Sequence, residues 1–370
     1  MDIVAVKRKN IRFLPFLCIT VSVILLLAGL WPFDFFPKNN VRWLPDQEAL
    51  RFGRYGIATS PELIAVPGET LDFRISILFG LKIRPLGEPG NSIPRILSIC
   101  DDHFRELFFV GQWKNHLIIR LADVQGPSSG SYRETGVDNL FRKNEPLMLE
   151  IHSDNSGLHI FADGRLVLSE AGYSLSHLSR LQTQALFLLG NSPTGESPWE
   201  GDLLGLFIHQ DTGRTQNPQG DVIAFTQLGN GSGAFLQTEG KAPFTFFIPS
   251  TYRPIMRTVL IPPWKEAPRK RSFWKDLIIN ILGFIPFGFF FHAWLRESAK
   301  GRGFSTVLFV VLLGAGISLT IELSQVFLPT RCSSLTDVVS NTLGTYFGVL
   351  LSQHLLEVTA TRHVPWIKYS

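Results

Sequence analysis

Three segments near the C-terminus carry the strongest signal in this sequence: DLIINILGFIPFG at 276–288, ELSQVFLPTR at 322–331 and DVVSNTLGTYFG at 337–348. Each sets acidic or amide side chains on or beside a strongly apolar run. Ionisable groups are costly at membrane depth, so they usually mark a functional site when they occur there. The three segments therefore predict a polar cluster within membrane-spanning helices.

The composition indicates a membrane region joined to a second domain. Of 370 residues, 45% are hydrophobic and only 18% are charged, and the apolar excess is unevenly distributed along the chain. The net charge is +4, and no basic stripe with interleaved aromatic residues indicates a nucleic-acid partner. Lysines and arginines next to membrane helices account for the basic pI.

The N-terminus predicts a transmembrane signal-anchor helix. An uncharged apolar run at 13–31 is about long enough to cross a bilayer, and the basic residues of segment 1–12 place the N-terminus in the cytoplasm. A cleaved signal peptide is the alternative, but its apolar core would be shorter and a small-x-small cleavage site is missing.

Residues 45–210 predict an all-β sandwich. Short segments rich in β-branched and aromatic residues alternate there with turns rich in Gly, Pro, Ser and Asn, which is typical of this architecture. Within EIHSDNSGLHIFADGRLVLS, the turns at 154–157 and 163–164 predict two consecutive hairpins. Residues 211–275 form a Pro/Gly-rich connector, expected to be extended because its prolines exclude long helices.

Three further apolar runs, at 276–294, 304–327 and 338–356, complete a predicted four-helix transmembrane α-bundle. Basic residues fall in the short link at 296–302 and in the tail at 357–370, and basic loops remain in the cytoplasm. The prediction is a multi-pass protein of the plasma (inner) membrane, with both termini cytoplasmic, residues 32–275 extracytoplasmic, and the sandwich inserted in the outer loop of a membrane region at 276–356.

The pattern D-x-x-x-N-x-L-G occurs at 276–283 and again at 337–344. Its Asp, Asn and Gly lie at i, i+4 and i+7, on one helical face. The two copies begin the second and fourth predicted helices, which indicates a tandem repeat. Glycines on such faces allow helices to pack closely, and the predicted packing positions are Gly283, Gly288, Gly344 and Gly348.

The third predicted helix adds Glu322 and Gln325 to the same end of the bundle, and Arg331 follows in the next loop. Arg331 is expected to hold the acids, because a guanidinium can bind carboxylates with two parallel hydrogen bonds. Asp276 and Asp337 can alternatively be helix caps, whereas Glu322 lies within an apolar helix and cannot. The predicted polar membrane cluster comprises Asp276, Asn280, Glu322, Gln325, Arg331, Asp337 and Asn341.

Five segments of the predicted sandwich follow one another in the order RILSIC, FFVGQW, LIIRL, LHIFADGRLV and LLGNSPTGESPWEGDLLGLFIH. Together they resemble a concanavalin A-like, laminin-G-like jelly roll. The resemblance implies a two-sheet sandwich of a type that binds carbohydrate or protein, sometimes with calcium. Trp113 and Trp199 are the candidates for stacking on a sugar, although core packing explains each as well. Asp101-Asp102 is the candidate calcium pair, but two acids at a strand end also fit a solvated turn. No metal site with clear ligand spacing, and no other cofactor, is predicted.

The three C-terminal segments contain the patterns D-x-x-x-N-x-x-G-F-I-P-F-G, I-E-L-x-Q-x-F-L-P-x-R and D-x-x-x-N-T-x-G. Together these patterns are similar to the signature of the VanZ-like membrane family, over about 260–360. The resemblance implies a small four-helix membrane protein, and its named member is associated with resistance to teicoplanin-type glycopeptides. The outer loop between the first two helices is normally short, whereas here it holds a whole sandwich.

Two main hypotheses for the function follow; a third is a transporter or channel, for which four helices with one short repeat are few. The first is a non-enzymatic bacterial cell-envelope protein whose lectin-like domain binds a surface glycan or protein, linked to envelope polysaccharide or to the response to glycopeptide antibiotics, with the lipid bilayer or a lipid-linked precursor as a further partner. The alternative is an intramembrane enzyme acting on a lipid-linked envelope precursor, with Glu322 or Asp337 as the acid/base and Arg331 as an anion clamp. No catalytic residue is assigned.

Overall fold

The computed structural model describes residues 3–60, 76–87, 93–122, 132–154, 156–175, 185–211, 221–225, 228, 233–240, 243, 245–266, 271–298 and 304–362. The chain divides into two compact units. The helical unit combines Met1–Phe35 with Thr258–Ser370, and the sandwich unit is Phe36–Arg257.

The sandwich unit contains two antiparallel sheets, as predicted. Its described strands are β1 (Val41–Leu44), β2 (Ala49–Phe52), β3 (Ala58–Thr59), β4 (Ser76–Pro85), β5 (Arg95–Cys100), β6 (Glu106–Trp113), β7 (His116–Ala122), β8 (Tyr132–Val137), β9 (Leu147–Ser153), β10 (Gly157–Ala162), β11 (Arg165–Ala171), β12 (Leu186–Leu189), β13 (Gly201–Asp211), β14 (Asp221–Phe225), β15 (Phe235–Gln237) and β16 (Thr245–Phe247). One sheet has the order β1-β2-β13-β4-β9-β10-β11, with β14 also paired to β13, and the other has the order β15-β16-β3-β12-β5-β6-β7-β8.

Strand patterning and turn chemistry explain these sheets. In β7, buried and partly exposed residues alternate along the strand, which directs one side of the sheet into the core. The two predicted hairpins form through β9, β10 and β11. The second one turns at Asp163 (φ 49°) and Gly164 (φ 75°), and two consecutive positive φ angles suit the twist of a two-residue hairpin.

The strands extend beyond the predicted sandwich boundaries of 45–210. β1 begins at Val41, and the predicted connector at 211–275 contains three strands that join the sheets. β15 and β16 have only three residues each and bury Leu236 and Phe246. Strands this short, between glycine- and proline-rich segments, have too few residues for alternation to stand out in the sequence.

A buried ion pair connects three strands of the first sheet. The Asp202 side chain on β13 is fully buried and accepts hydrogen bonds from Arg51 Nε at 2.6 Å and from Arg84 Nη1 at 3.3 Å. Asp202 lies opposite Arg51 of β2 and Arg84 of β4 in the strand register. The hydrogen bond to Asp202 is the first cause of the raised pKa of Arg51.

Four α-helices lie in the described part of the helical unit: α1 (Ile3–Leu30), α2 (Arg271–Ser298), α3 (Phe304–Gln325) and α4 (Leu335–Arg362). Among described residues, three stretches are long and apolar enough to cross a membrane, namely Phe13–Leu30, Phe273–Ser298 and Ser305–Gln325. Helix α4 carries more polar residues, and several of them, including Asn341, Thr345 and Ser352, are buried against other parts of the unit.

Helices α2 and α4 pack with their backbones in close approach. A Cβ on Gly344 would lie 2.2 Å from the carbonyl oxygen of Ile281, and one on Gly348 would lie 2.1 Å from that of Ile285. Gly288 is equally tight, since its Cβ would lie 1.9 Å from the carbonyl oxygen of Thr345. These three glycines occupy packing positions, as predicted.

The prediction for Gly283 was wrong. A Cβ there would meet only the Leu25 side chain, at 4.0 Å, because Gly283 lines a cavity instead of a helix contact.

Candidate functional site

One end of the helical unit encloses a cavity of about 610 Å³. It lies between the last turns of α1, the first turns of α2 and α4 and the end of α3. The structure brings all seven residues of the predicted polar membrane cluster to its wall, and Glu266 joins them. The lining residues are Leu25, Ala28, Gly29, Ile261, Glu266, Phe273, Asp276, Leu277, Ile279, Asn280, Gly283, Phe284, Ile321, Glu322, Gln325, Thr330, Arg331, Cys332, Ser334, Thr336, Asp337 and Asn341.

Ser334 connects two acids of the cavity wall. Its backbone N–H donates to Glu322 Oε2 at 2.7 Å, and its hydroxyl donates to Glu266 Oε1 at 2.5 Å. The same hydroxyl accepts the Asp337 N–H at 3.2 Å, so Ser334 caps α4. Glu322 is only 2% exposed, and the hydrogen bond from the Ser334 N–H holds it against the start of the neighbouring helix.

The two repeated aspartates differ in position. Asp337 lies three residues after the capping Ser334, in the first turn of α4, where an acid complements the helix dipole. Asn280 of α2 hydrogen-bonds the Asp337 side chain. Asp276 is the sixth residue of α2, which begins at Arg271, so the alternative that Asp276 caps this helix was wrong. The basic residues before Asp276 belong to the helix. The helix therefore begins earlier than the apolar run in the sequence, and the apolar run did not reveal this boundary.

Arg331 does not hold the acids as expected. Its Nε donates to the Trp31 carbonyl oxygen at 3.2 Å, and among the described ion pairs none joins Arg331 to a carboxylate. Gln325 Nε2 similarly donates to the Gly29 carbonyl oxygen at 2.8 Å. The last carbonyls of a helix have no partner within it, so both side chains complete the C-terminal end of α1.

Two buried polar atoms of residues that line the cavity have no hydrogen-bond partner among the described residues. Asn341 is 4% exposed and donates through Nδ2 to Ser318 Oγ at 2.8 Å, but its Oδ1 is unpaired. Thr336 Oγ1 is also buried and unpaired. Buried polar atoms are nearly always hydrogen-bonded in folded proteins, so two such atoms in one cavity indicate room for a ligand that donates hydrogen bonds.

Two features of the helical unit were not predicted from the sequence. Glu266 lies in the proline-rich connector, where no helical spacing relates it to the other acids. His292 Nδ1 lies 3.0 Å from Ser352 Oγ, and the two residues are 3% and 0% exposed. They are 60 residues apart in sequence, and only the parallel packing of α2 and α4 brings them together. Their complete burial makes this pair a structural contact.

The two candidate tryptophans of the sandwich have different surroundings. Trp199 is 1% exposed, and its Nε1 donates to Gln112 Oε1 at 3.0 Å. It belongs to the core, so the sugar-stacking prediction was wrong for Trp199 and the packing alternative holds. Trp113 is 39% exposed, and its ring centroid lies 5.3 Å from that of His116.

Polar groups surround Trp113 at the tip of the β6–β7 hairpin. His116 Nδ1 lies 2.8 Å from Asp138 Oδ1, and Asn115 Nδ2 donates to Asn139 Oδ1 at 2.7 Å. An exposed indole beside amide, imidazole and carboxylate groups can stack on a sugar ring while the polar groups bind its hydroxyls. We call Trp113, Asn115, His116, Asp138 and Asn139 the hairpin patch.

Asp101, Asp102 and His103 form the one group within the described ranges whose ligand atoms all lie within 4.8 Å of one another. Asp101 already accepts the N–H groups of His103 and Arg105, as well as Arg105 Nε at 2.7 Å. Asp102 pairs with His103 at 2.6 Å. These contacts describe a self-contained turn, and calcium binding at the pair stays a prediction.

The charges of the cavity wall are unbalanced. Four carboxylates line it, from Glu266, Asp276, Glu322 and Asp337, against a single guanidinium. An excess of acids in a partly buried site favours a positively charged or hydrogen-donating ligand.

Comparisons with solved structures give similarities at low sequence identity. The heptameric SAP-like pentraxin from Limulus polyphemus is 11% identical, with a TM-score of 0.27, over 42% of this chain and 76% of the pentraxin. The Ruminococcus gnavus IT-sialidase CBM40, solved with alpha2,3 sialyllactose, is 15% identical, with a TM-score of 0.28, over 37% of this chain and 74% of that one. The alginate lyase AlyC3 is 12% identical, with a TM-score of 0.31, over 45% and 76%. No function of this chain follows from similarities at this level.

A comparison with curated proteins gives no match. The VanZ/LLP1 family model matches residues 223–356. The match covers α2, α3 and most of α4, with every residue of the predicted polar membrane cluster, and it begins in the last strands of the sandwich unit. The predicted resemblance over about 260–360 is therefore confirmed, and residues 223–356 are the part of the chain that is similar to the VanZ/LLP1 family.

Proposed function

We propose that this protein is a multi-pass envelope protein whose helical unit binds the polar head of a lipid-linked ligand in its cavity. The observation that carries the proposal is the lining of the cavity, which combines acidic and amide side chains with large apolar ones. Acids and amides share the wall with Leu25, Leu277 and Phe284. A cavity of this kind fits an amphipathic molecule.

The cavity extends to the outer surface of the helical unit. Ile279 lines the cavity and is 64% exposed, and α2 is one of the helices apolar enough to cross a membrane. A lipid-linked ligand can therefore enter sideways from the bilayer, with its head among the acids and its chain along the apolar helix surface. In the proposed topology both termini are cytoplasmic and residues 32–275 are extracytoplasmic, which the basic residues of segments 1–12, 296–302 and 357–370 support, whereas the basic residues at 265–275 are an exception within a long translocated segment.

The test is lipid retention by the full chain. The protein would be purified in nanodiscs of envelope lipids, and bound molecules would be identified by mass spectrometry. We expect one class of lipid or lipid-linked saccharide to be enriched over the bulk lipid. Gly283→Leu, which fills the cavity wall, should remove the enrichment, and Gly316→Leu is the matched control because open space surrounds Gly316. Equal lipid content in wild type and Gly283→Leu would refute the proposal.

We also propose that the sandwich unit binds a surface glycan or protein through the hairpin patch. The support is local, because fold alone does not define a ligand: Trp113 is exposed and polar groups surround it. Binding of the full chain to a glycan array should be lost in Trp113→Ala. It should persist in Phe235→Ala, which removes another exposed aromatic side chain, 57% exposed. Equal loss in both variants would exclude the patch.

The alternative, an intramembrane enzyme acting on a lipid-linked precursor, has less support. It needs Arg331 as an anion clamp beside Glu322 and Asp337, whereas Arg331 Nε donates to the end of α1 and none of the described ion pairs joins Arg331 to either acid. The same nanodisc preparation distinguishes the two functions. A binding protein returns the retained ligand unchanged over time, while an enzyme converts it, and Glu322→Gln would stop that conversion.

A further inference from the structure

We propose that the ligand of the cavity presents a primary ammonium group to the acids of the wall. This inference rests on the proposed function, since it specifies the chemistry of the same ligand. Four carboxylates and one guanidinium line the cavity, and the guanidinium is directed to the Trp31 carbonyl oxygen. One guanidinium cannot balance four acids, so the lining residues leave an excess of negative charge that a cation from outside the chain would balance.

The arrangement of the acids favours an organic cation over a metal ion. Glu322 and Glu266 are separated by Ser334, which binds both of them. Within the described residues, the acids of the cavity do not form a group whose ligand atoms lie within 4.8 Å of one another. A directly bound Ca²⁺ or Mg²⁺ would gather oxygens at about 2.0–2.6 Å. A cavity of about 610 Å³ has room for a head group many times larger than an ion.

The unpaired atoms specify a cation that donates hydrogen bonds. Asn341 Oδ1 is an acceptor, and Asn341 is 4% exposed with its Nδ2 already bound to Ser318. Thr336 Oγ1 can accept as well. A primary ammonium has three N–H donors, so it can bind a carboxylate and still donate hydrogen bonds to acceptors of this kind. A quaternary ammonium has the same charge and no donor, so it would leave both oxygens unpaired.

The ammonium group can belong to a lipid head group or to a soluble amine. A comparison of two lipids tests for the primary ammonium, and competition by a soluble amine separates the two sources. The full chain would be reconstituted in nanodiscs of phosphatidylglycerol containing equal minor fractions of phosphatidylethanolamine and phosphatidylcholine. Retained lipids would be counted by native mass spectrometry. We expect phosphatidylethanolamine to be retained at least about 10-fold over phosphatidylcholine, because the loss of even one charged hydrogen bond weakens binding by roughly this factor. Soluble ethanolamine phosphate should compete only weakly.

Variants identify the site. Glu322→Gln and Asp337→Asn keep the shape of each side chain and should each reduce the preference for phosphatidylethanolamine. Glu297→Gln is the matched control, because Glu297 is an exposed acid in the last turn of α2 outside the cavity. Thermal unfolding identifies any variant that has lost its fold. The lipid preference of the wild-type protein is measured without any variant, so it tests the inference even if a variant does not fold.

The outcomes separate the inference from the proposed function. Equal retention of both lipids would overturn the inference of a primary ammonium group and leave the proposed lipid-binding function intact. Retention of no lipid, with ethanolamine phosphate bound in the cavity, would support the ammonium and overturn the lipid-linked ligand. Binding of neither probe, or a preference that Glu297→Gln removes as strongly as Asp337→Asn does, would overturn the inference.

Discussion

Alanine substitutions at the two equivalent glycines of the repeat should have opposite effects on stability. Gly344 and Gly283 end the two D-x-x-x-N-x-L-G copies, and each lies within a helix. A Cβ on Gly344 would stand 2.2 Å from the Ile281 carbonyl oxygen and 2.9 Å from its carbonyl carbon. A Cβ on Gly283 would meet only Leu25, at 4.0 Å.

The magnitudes follow from these distances. Ordinary contact begins at 3.4 Å, and the atom in the way at Gly344 belongs to the backbone, so α2 and α4 must move apart. Overpacking of this kind costs about 1–3 kcal/mol, and Gly344→Ala should reach the upper part of that range. Gly283→Ala meets no obstacle and should gain up to about 1 kcal/mol from the higher helix propensity of alanine.

Unfolding by SDS in mixed micelles, followed by circular dichroism at the helix band, measures both changes against wild type. Gly316→Ala is a second control, because nothing lies near that Cβ. The two repeat variants should differ by about 2–4 kcal/mol in the free energy of unfolding. Equal effects, or a Gly344→Ala variant as stable as wild type, would refute the close approach of α2 and α4.

Three further substitutions test other contacts. Asp202→Asn should destabilise the sandwich by about 1–3 kcal/mol, because it removes the charged acceptor of two partly exposed arginines. Glu145→Gln in an exposed pair should change the free energy of unfolding by less than about 1 kcal/mol; urea unfolding with tryptophan fluorescence measures both, and equal values would contradict the burial of Asp202. Gln325→Leu should cost about 1 kcal/mol by losing the hydrogen bond to α1, seen as a lower SDS midpoint, and an unchanged midpoint would exclude this bond. Ser334→Ala should lower the free energy of unfolding by about 1–2 kcal/mol, because it removes the cap of α4. Ser324→Ala is the control and should lower it much less, and the reverse order of the two SDS midpoints would exclude the cap.

The sequence predicted the architecture because the relevant signals are local. Alternation and turn residues over 147–171 suffice to predict two hairpins, and the hairpins formed as predicted. The spacing of the acids and amides predicted which helix faces would meet, and these residues line one cavity. Each inference relies on the period of a strand or a helix, which is independent of the rest of the fold.

The errors concern partners that no period specifies. Arg331 was expected to bind acids, but the unpaired carbonyls at the end of α1 are 300 residues away in sequence and are a feature of the backbone, which residue types do not reveal. Trp113 and Trp199 each follow an apolar strand or a turn, and only the completed sandwich buries one and exposes the other. Glu266 has no helical neighbour to indicate its position.

The two copies of the repeat do not occupy equivalent positions in the packing of α2 and α4. The copies are 61 residues apart, as from Asp276 to Asp337, whereas Ile281 meets Gly344 and Ile285 meets Gly348 at a separation of 63 residues, and Gly288 meets Thr345 at a separation of 57. Gly344 faces the backbone of α2, while its counterpart Gly283 faces Leu25 of α1.

The two copies consequently have different neighbours. In the second copy, Asn341 binds Ser318 of α3 and Gly344 contacts the backbone of α2, so that face is closed on two sides. In the first copy, Asn280 binds Asp337 across the gap and Gly283 meets only the tip of Leu25. One copy supplies the packed wall and the other the open space beside it.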